Sequence, residues 1–189
     1  MARTEVFRGY RSVPIALSGL VALSAGAVQP FLSPDPALEF RLWLLLWMGA
    51  AVLSVALCSA EMAVRFQRTR SGLERERIRQ AVARFLPAVV TGGLLTFVLA
   101  ELAPESRHLL PGLWAILMGL GIFASLPMLP RATLYVALFY VGAGLLSLAL
   151  ARDMHAFSPL AMGLPFGAGQ LSAAAVLYLT LERNHEPKT

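Results

Sequence analysis

Residues 65–84 read RFQRTRSGLERERIRQAVAR and hold seven of the sixteen Lys and Arg residues of a 189-residue chain. On either side the sequence turns apolar in runs of about 20 residues, the length at which a helix rising ~1.5 Å per residue crosses a hydrocarbon layer. The belt therefore divides two apolar runs before it from four after it, and the fold follows from that division. Within the belt, Ser71-Gly72-Leu73-Glu74 has the spacing of a capping box, in which the serine covers a free amide and the glutamate reaches back. Leu73, Ile78, Ala81, Val82, Phe85 and Leu86 then fall mainly at steps of three and four, with Arg75, Arg77, Arg79 and Arg84 in the remaining directions. This predicts a basic amphipathic segment over 65–85, lying at a membrane surface or forming the polar base of the next span.

Composition supports the same class. Apolar residues make up 57% and charged residues 14%, against roughly a quarter charged in soluble domains. A chain this apolar on all faces of its helices needs lipid as its solvent. The formal net charge of +5 is accounted for by arginines retained beside a membrane, so nucleic acid is not among the expected partners. Cys58, the single cysteine, has no intramolecular partner.

Outward from the belt, the spans fall at about 13–31, 42–64, 82–102, 109–129, 132–151 and 159–181, with a polar tail at 182–189. The expected fold is all-α: an integral membrane bundle of six transmembrane helices, with one basic amphipathic cytoplasmic helix between spans 2 and 3. In the first span Ser18, Ala22 and Gly26 recur every four residues and put small side chains on one face, where another helix can approach closely. Arg3, Arg8 and Arg11 ahead of this run, and Ala25-Gly26-Ala27 within it, also imitate a secretory signal, although the run continues to Phe31. Trp43 and Trp47 sit near the start of the second span, at the depth where indoles favour headgroups. Pro87 is expected to kink the third span. The link Pro130-Arg131 makes the fourth and fifth a tight antiparallel pair. Pro165 between Gly163 and Gly167 makes the sixth the least regular.

Alternating the six spans puts Arg3, Arg8, Arg11, the seven belt arginines, Arg131, Arg183 and Lys188 on one side, thirteen in all. Arg41, Arg107 and Arg152 are left on the other. The positive-inside rule then places both termini in the cytoplasm.

Candidate polar sites are few. Gln170 follows the Gly-Pro-Gly stretch at membrane depth and either bonds across to Thr91 or Thr96 or lines a polar cavity. Glu61 lies four residues before Arg65, so it forms either an interfacial ion pair or a buried functional carboxylate. Arg75, Arg77, Arg79 and Arg84 are the candidate contacts for anionic lipid or a partner. His108, His155 and His185 all fall outside the spans. The first two share the outer side with Asp35, Glu39, Glu101, Glu105 and Asp153, yet spacing shows neither a metal set nor a catalytic constellation. No GK[ST] phosphate loop, HExxH, CxxC or GxSxG is present. No cofactor is expected.

Leu86-Pro87 through Gly92-Gly93-Leu94-Leu95-Thr96, then Leu110-Pro111-Gly112-Leu113-Trp114, then Phe166-Gly167-Ala168-Gly169 and Glu182-Arg183 give the chain a family look. Over about residues 80–183 it resembles an uncharacterised group of small polytopic bacterial integral membrane proteins, with an LP…G…LT span followed by an LPGxW span. It carries Gln170 near the place where that group often has His, which weakens any metal or haem reading of the position. The resemblance implies a multi-pass inner-membrane protein of bacterial origin and no particular activity.

The expected function is a non-enzymatic accessory or regulatory membrane module acting through helix packing, as a homo-oligomer or with a cytoplasmic protein partner. Two alternatives stand beside it: a small transporter or permease subunit with a polar site near Gln170 and Thr96, and a membrane enzyme using the outer histidines.

Overall fold

A computed structural model describes residues 12–36, 38–68, 72–151 and 156–182; the side chains of residues 65, 68, 73, 74, 77, 78, 181 and 182 lie outside that description. The described residues are helical, without strands. Six helices follow in order: α1 Ser12–Leu32, α2 Phe40–Arg68, α3 Gly72–Phe97, α4 Leu110–Ser125, α5 Thr133–Leu150 and α6 Pro159–Leu177. Each, with its flanking turns, is long and apolar enough to cross a membrane. Their number is the number of spans expected.

The belt differs from expectation in form. Its first residues end α2, and residues 72–85 open α3, which continues unbroken through Pro87 to Phe97. Among the described residues no separate helix stands between α2 and α3; the basic residues from Arg75 to Arg84 belong to α3 itself. Ser71, and with it the capping pair, lies outside the described residues. Pro87 is itself exposed, while Phe85 and Ala88 on either side of it face Gly121 of α4. Pro165 likewise leaves α6 continuous from Pro159 to Leu177; the irregular turn comes later, a π-helical stretch at Tyr178–Glu182. At its start α6 is well capped: Ser158 Oγ accepts from the Ala161 amide at 3.2 Å, with Pro159 in the first turn, where its missing N–H costs nothing.

Two helix pairs form the close-packed part of the bundle. Between α1 and α6, a Cβ on Gly26 would stand 3.3 Å from the Gly163 Cα, and one on Gly19 3.1 Å from the Gly167 carbonyl oxygen. The stripe Ser18, Ala22 and Gly26 is buried there, as its four-residue spacing predicts. Between α4 and α5 the approach is tighter: a Cβ on Gly144 would lie 2.6 Å from the Gly112 carbonyl oxygen and 2.9 Å from the Ile116 amide nitrogen. Helices too apolar to gain from water exclusion against lipid associate through such short-range contacts, which demand small residues.

Helices α2 and α3 depart from this pattern. Only 11% of the α2 span and 17% of the α3 span are buried, against 44% for α4 and its flanking turns. After Trp47 no described residue of α2 is buried, a length of about 30 Å along which its contacts are few, among them Ala50 against the core and Phe66 with Arg75.

Gly144→Ala should therefore cost about 1–3 kcal/mol, because its methyl meets backbone that cannot step aside. Gly142→Ala, with nothing within 4 Å, should be neutral or stabilising by up to ~1 kcal/mol from helix propensity. Thermal unfolding of both variants in the same detergent checks the contrast.

Candidate functional site

At the end of the bundle away from the belt, which we call the distal end, the connections α1–α2, α3–α4 and α5–α6 come together around an aromatic layer. Trp43 and Trp114 stack with ring centroids 5.8 Å apart and planes 6° from parallel. Phe157, in the turn before α6, meets Trp43 edge-on at 4.9 Å and Phe40 at 5.8 Å. Phe40 in turn stacks on Trp43 at 5.7 Å. Offset and edge-to-face contacts of this kind add to the area that the rings bury. Arg107, from the turn between α3 and α4, closes the layer with its guanidinium 4.5 Å from the Phe40 ring centre. Its Nε donates to the Ala100 carbonyl at 3.1 Å, and Nη2 donates to the same oxygen. That carbonyl lies in the π-helical stretch Val98–Leu102 that ends the third span.

Under the aromatic layer lies Gln29 of α1, fully buried. Its Nε2 donates to the Phe157 carbonyl at 2.7 Å, and its Oε1 accepts from the Trp47 indole N–H at 2.9 Å. The amide orientation is dictated by the partners, since a carbonyl only accepts and an indole only donates. One side chain thus joins α1, α2 and the turn into α6. On the other flank the Trp114 indole donates to Thr96 Oγ1 at 2.9 Å, and that hydroxyl donates to the Gly92 carbonyl at 2.7 Å, linking α4 to α3.

Three buried polar atoms of this end have no hydrogen-bond partner: Trp43 Nε1, Ser33 Oγ and Glu39 Oε2. Thr133 Oγ1, the fourth such atom among the described residues, sits at the start of α5, at the other end of the bundle.

The polar residues singled out from the sequence are not gathered in one place. Gln170 is half-buried on α6, its Cβ 3.2 Å from where a Cβ on Gly19 of α1 would stand. Thr96 is committed to Gly92 and Trp114, and Thr91 is exposed. Glu61 is half-buried near the belt end of α2; the Arg65 side chain expected to pair with it lies outside the described residues.

Of the belt arginines, Arg75 lies 5.2 Å from the Phe66 ring centre, joining the start of α3 to the end of α2. Arg79 pairs with Glu76 at 2.6 Å. A hydrogen bond from Gln80, with a second from Arg79, holds the Glu76 carboxyl below its ordinary range. Arg84 is exposed and, nine residues from Arg75, points about 180° away from it on a helix of 3.6 residues per turn. The side chain of Arg77 lies outside the described residues. The arginines therefore surround α3 rather than form one cluster. His108 Nδ1 is 2.9 Å from the Glu105 carbonyl and so carries a hydrogen toward it. His155, Asp153 and His185 lie outside the described residues, and among those described no three His, Cys, Asp or Glu side chains are grouped for a metal.

Sequence reading passed over Gln29, although a signal was present. It continues the stripe of Ser18, Ala22 and Gly26 by one more turn, so it had to face a neighbouring helix. Trp43 and Trp47 were expected among headgroups, yet both are buried, at 0% and 3% exposure. Their depth along the helix is as expected; their direction is inward because Gln29 and Phe157 receive them.

Six helices of this length and apolar character mark a membrane protein, and the aromatic layer gives its bundle one closed end. Comparison of the chain with protein-family models, with curated proteins and with solved structures finds no match in any of the three.

Gln29→Leu leaves the Phe157 carbonyl and the Trp47 indole unpaired, and should destabilise the protein by about 1–3 kcal/mol. Gln170→Leu, at a half-buried position, should stay within about 0.5 kcal/mol. Thermal unfolding followed by tryptophan emission measures both, and the Gln29 variant should also show red-shifted emission as the layer admits water.

Proposed function

We propose that this chain is a multi-pass inner-membrane protein that works as a non-enzymatic accessory or regulatory module, packing α2 and α3 against a second copy of itself. The observation that carries the reading is the bare flank of α2. From Gly49 onward its exposed positions carry small side chains at Gly49, Ala51, Ala56, Ser59, Ala60 and Ala63, beside larger ones at Val52, Leu53, Val55 and Val64. The exposed face of α5 has fewer small positions, Gly142 and Ala149, among Leu134, Tyr135, Leu138, Phe139, Leu145, Leu146 and Leu150. Large side chains suit lipid tails, whereas small ones suit a helix backbone. With six spans alternating, the thirteen-to-three distribution of basic residues puts both termini and the belt in the cytoplasm. Arg79 and Arg84, both exposed, then stand at the membrane surface as candidate contacts for anionic lipid or a cytoplasmic protein. The resemblance to small polytopic bacterial membrane proteins agrees with this placement and adds no activity.

Cys58, half-buried on α2, provides the test. Oxidative cross-linking in native membranes should yield a species of twice the 20.4 kDa of the chain. Cysteines moved to Val52, Val55 or Ser59 should cross-link in a helical pattern, and one at Leu145 should not. No dimer from any of the α2 positions would refute self-association. Orientation is checked separately with reporters fused after Glu39, Arg75, Glu105 and Asp153, of which only the Arg75 fusion should report the cytoplasm.

A further inference from the structure

The three unpartnered atoms at the distal end occupy neighbouring turns of the α1–α2 hairpin. The Gln29–Trp47 bond fixes the register of these antiparallel helices. One turn beyond Gln29 is Ser33, whose amide donates to the Gln29 carbonyl at 2.8 Å. One turn before Trp47 is Trp43, whose amide donates to the Glu39 carbonyl at 3.1 Å, placing Glu39 a further turn out. The layer next to the Gln29–Trp47 bond therefore contains Ser33 and Trp43, with Glu39 above them. Ser33 is 1% exposed and Trp43 0%, so bulk solvent does not reach either group. Each buried polar group left unmade costs about 1–3 kcal/mol, and three in adjacent turns form a conspicuous deficit in a chain that satisfies Gln29 and Thr96 so fully.

The chemistry of the three groups defines what would satisfy them. The Trp43 indole only donates, the Glu39 side chain offers carboxyl oxygens, and the Ser33 hydroxyl does either. An inorganic anion would accept from Trp43 but face Glu39. A metal or ammonium ion would suit Glu39 but accept nothing from the indole. A hydroxyl group accepts and donates at once, and three polar partners are the usual complement of a buried water. We propose that Ser33, Glu39 and Trp43 form a binding site for a single hydroxyl group, enclosed by the aromatic layer. Water and a glycerol hydroxyl of a lipid headgroup are its two sources at this end of the bundle, and they share that chemistry.

The site is tested with full-length protein carrying ¹⁵N-labelled indoles, in nanodiscs of phosphatidylcholine alone or with phosphatidylglycerol. The chain's three indole signals are assigned by Trp→Phe variants. Should Trp43→Phe fail to fold, Trp47→Phe and Trp114→Phe assign Trp43 by elimination. Magnetisation transfer to the Trp43 indole proton from water in both lipids supports a bound water. Transfer from glycerol headgroup protons, present only with phosphatidylglycerol, supports a lipid hydroxyl. Trp47, already bonded to Gln29, is the internal control and should receive neither. Transfer to Trp43 from neither source overturns the site, as does equal transfer from water to Trp43 and Trp47, which would mean a generally wet layer. Ser33→Ala and Glu39→Leu should each abolish the contact, and its survival in both would also overturn the assignment.

Discussion

A single carboxamide holds the distal end of this bundle together. In a helix of mean hydropathy suited to lipid there is no solvent to receive a polar group, so Gln29 must find a donor and an acceptor within the protein. It finds the donor on α2 and the acceptor in the turn before α6, which lie 18 and 128 residues away in sequence. Both bonds together leave little freedom. Sliding α1 against α2 would break the first, and withdrawing the turn before α6 would break the second. The aromatic layer is built on that fixed point, because Phe157, whose carbonyl Gln29 holds, is also the ring that meets Trp43 and Phe40.

Away from that point the bundle is held by contact rather than by hydrogen bonds. Gly112 against Gly144 brings backbones to a distance that excludes even a methyl group, and Gly26 against Gly163 leaves room for one only in tight contact. Dispersion falls off steeply with separation, so such pairs are either fully engaged or almost worthless. The α1–α6 and α4–α5 pairs are engaged along their length. Tyr140 connects them, fully buried on α5 with its ring against Gly169 of α6, where a Cβ would lie 2.4 Å from the ring. α2 is anchored to this frame by Trp43 and Trp47, and α3 by Thr96 and, two turns and more earlier, by Phe85 and Ala88 against Gly121 of α4.

The number of long apolar helices was legible because the apolar runs are interrupted by Pro, Asp and Arg between nearly all of them. The small-residue face of α1 was legible because its spacing matches the helical period. What escaped was direction. A tryptophan near a helix end is placed by depth alone, and depth is the same whether the ring turns toward lipid or toward Gln29. The attention given to Gln170 rested on its being a carboxamide in an apolar run, and Gln29 satisfies that test equally. The two differ in what they face: Gln170 lies beside Gly19, while Gln29 lies beside an indole and a free carbonyl. No local pattern encodes the second case, since Phe157 belongs to a turn on the far side of the sequence. The continuity of α3 was half legible: the arginines predict the polar face, but Pro87 obscures that the same helix carries on into the next span.

These observations give the molecule two unlike ends. At the distal end Arg107 is spent on Phe40 and Ala100 rather than on solvent, while Arg41, Glu101 and Glu105 are exposed. At the belt end Arg79 and Arg84 are exposed, and the link between α2 and α3 includes a cation–π contact, Arg75 on Phe66, of a kind that contributes about 0.5–1 kcal/mol where water has access. The Gln29 network and the Gly112–Gly144 contact, by contrast, join their helices through buried bonds and backbone approach. Any change of shape that this chain undergoes should therefore pivot about the distal layer and be felt as a movement of the α2 and α3 ends that carry the arginines. A partner at the belt would act on the loosest part of the fold while the distal end stayed closed.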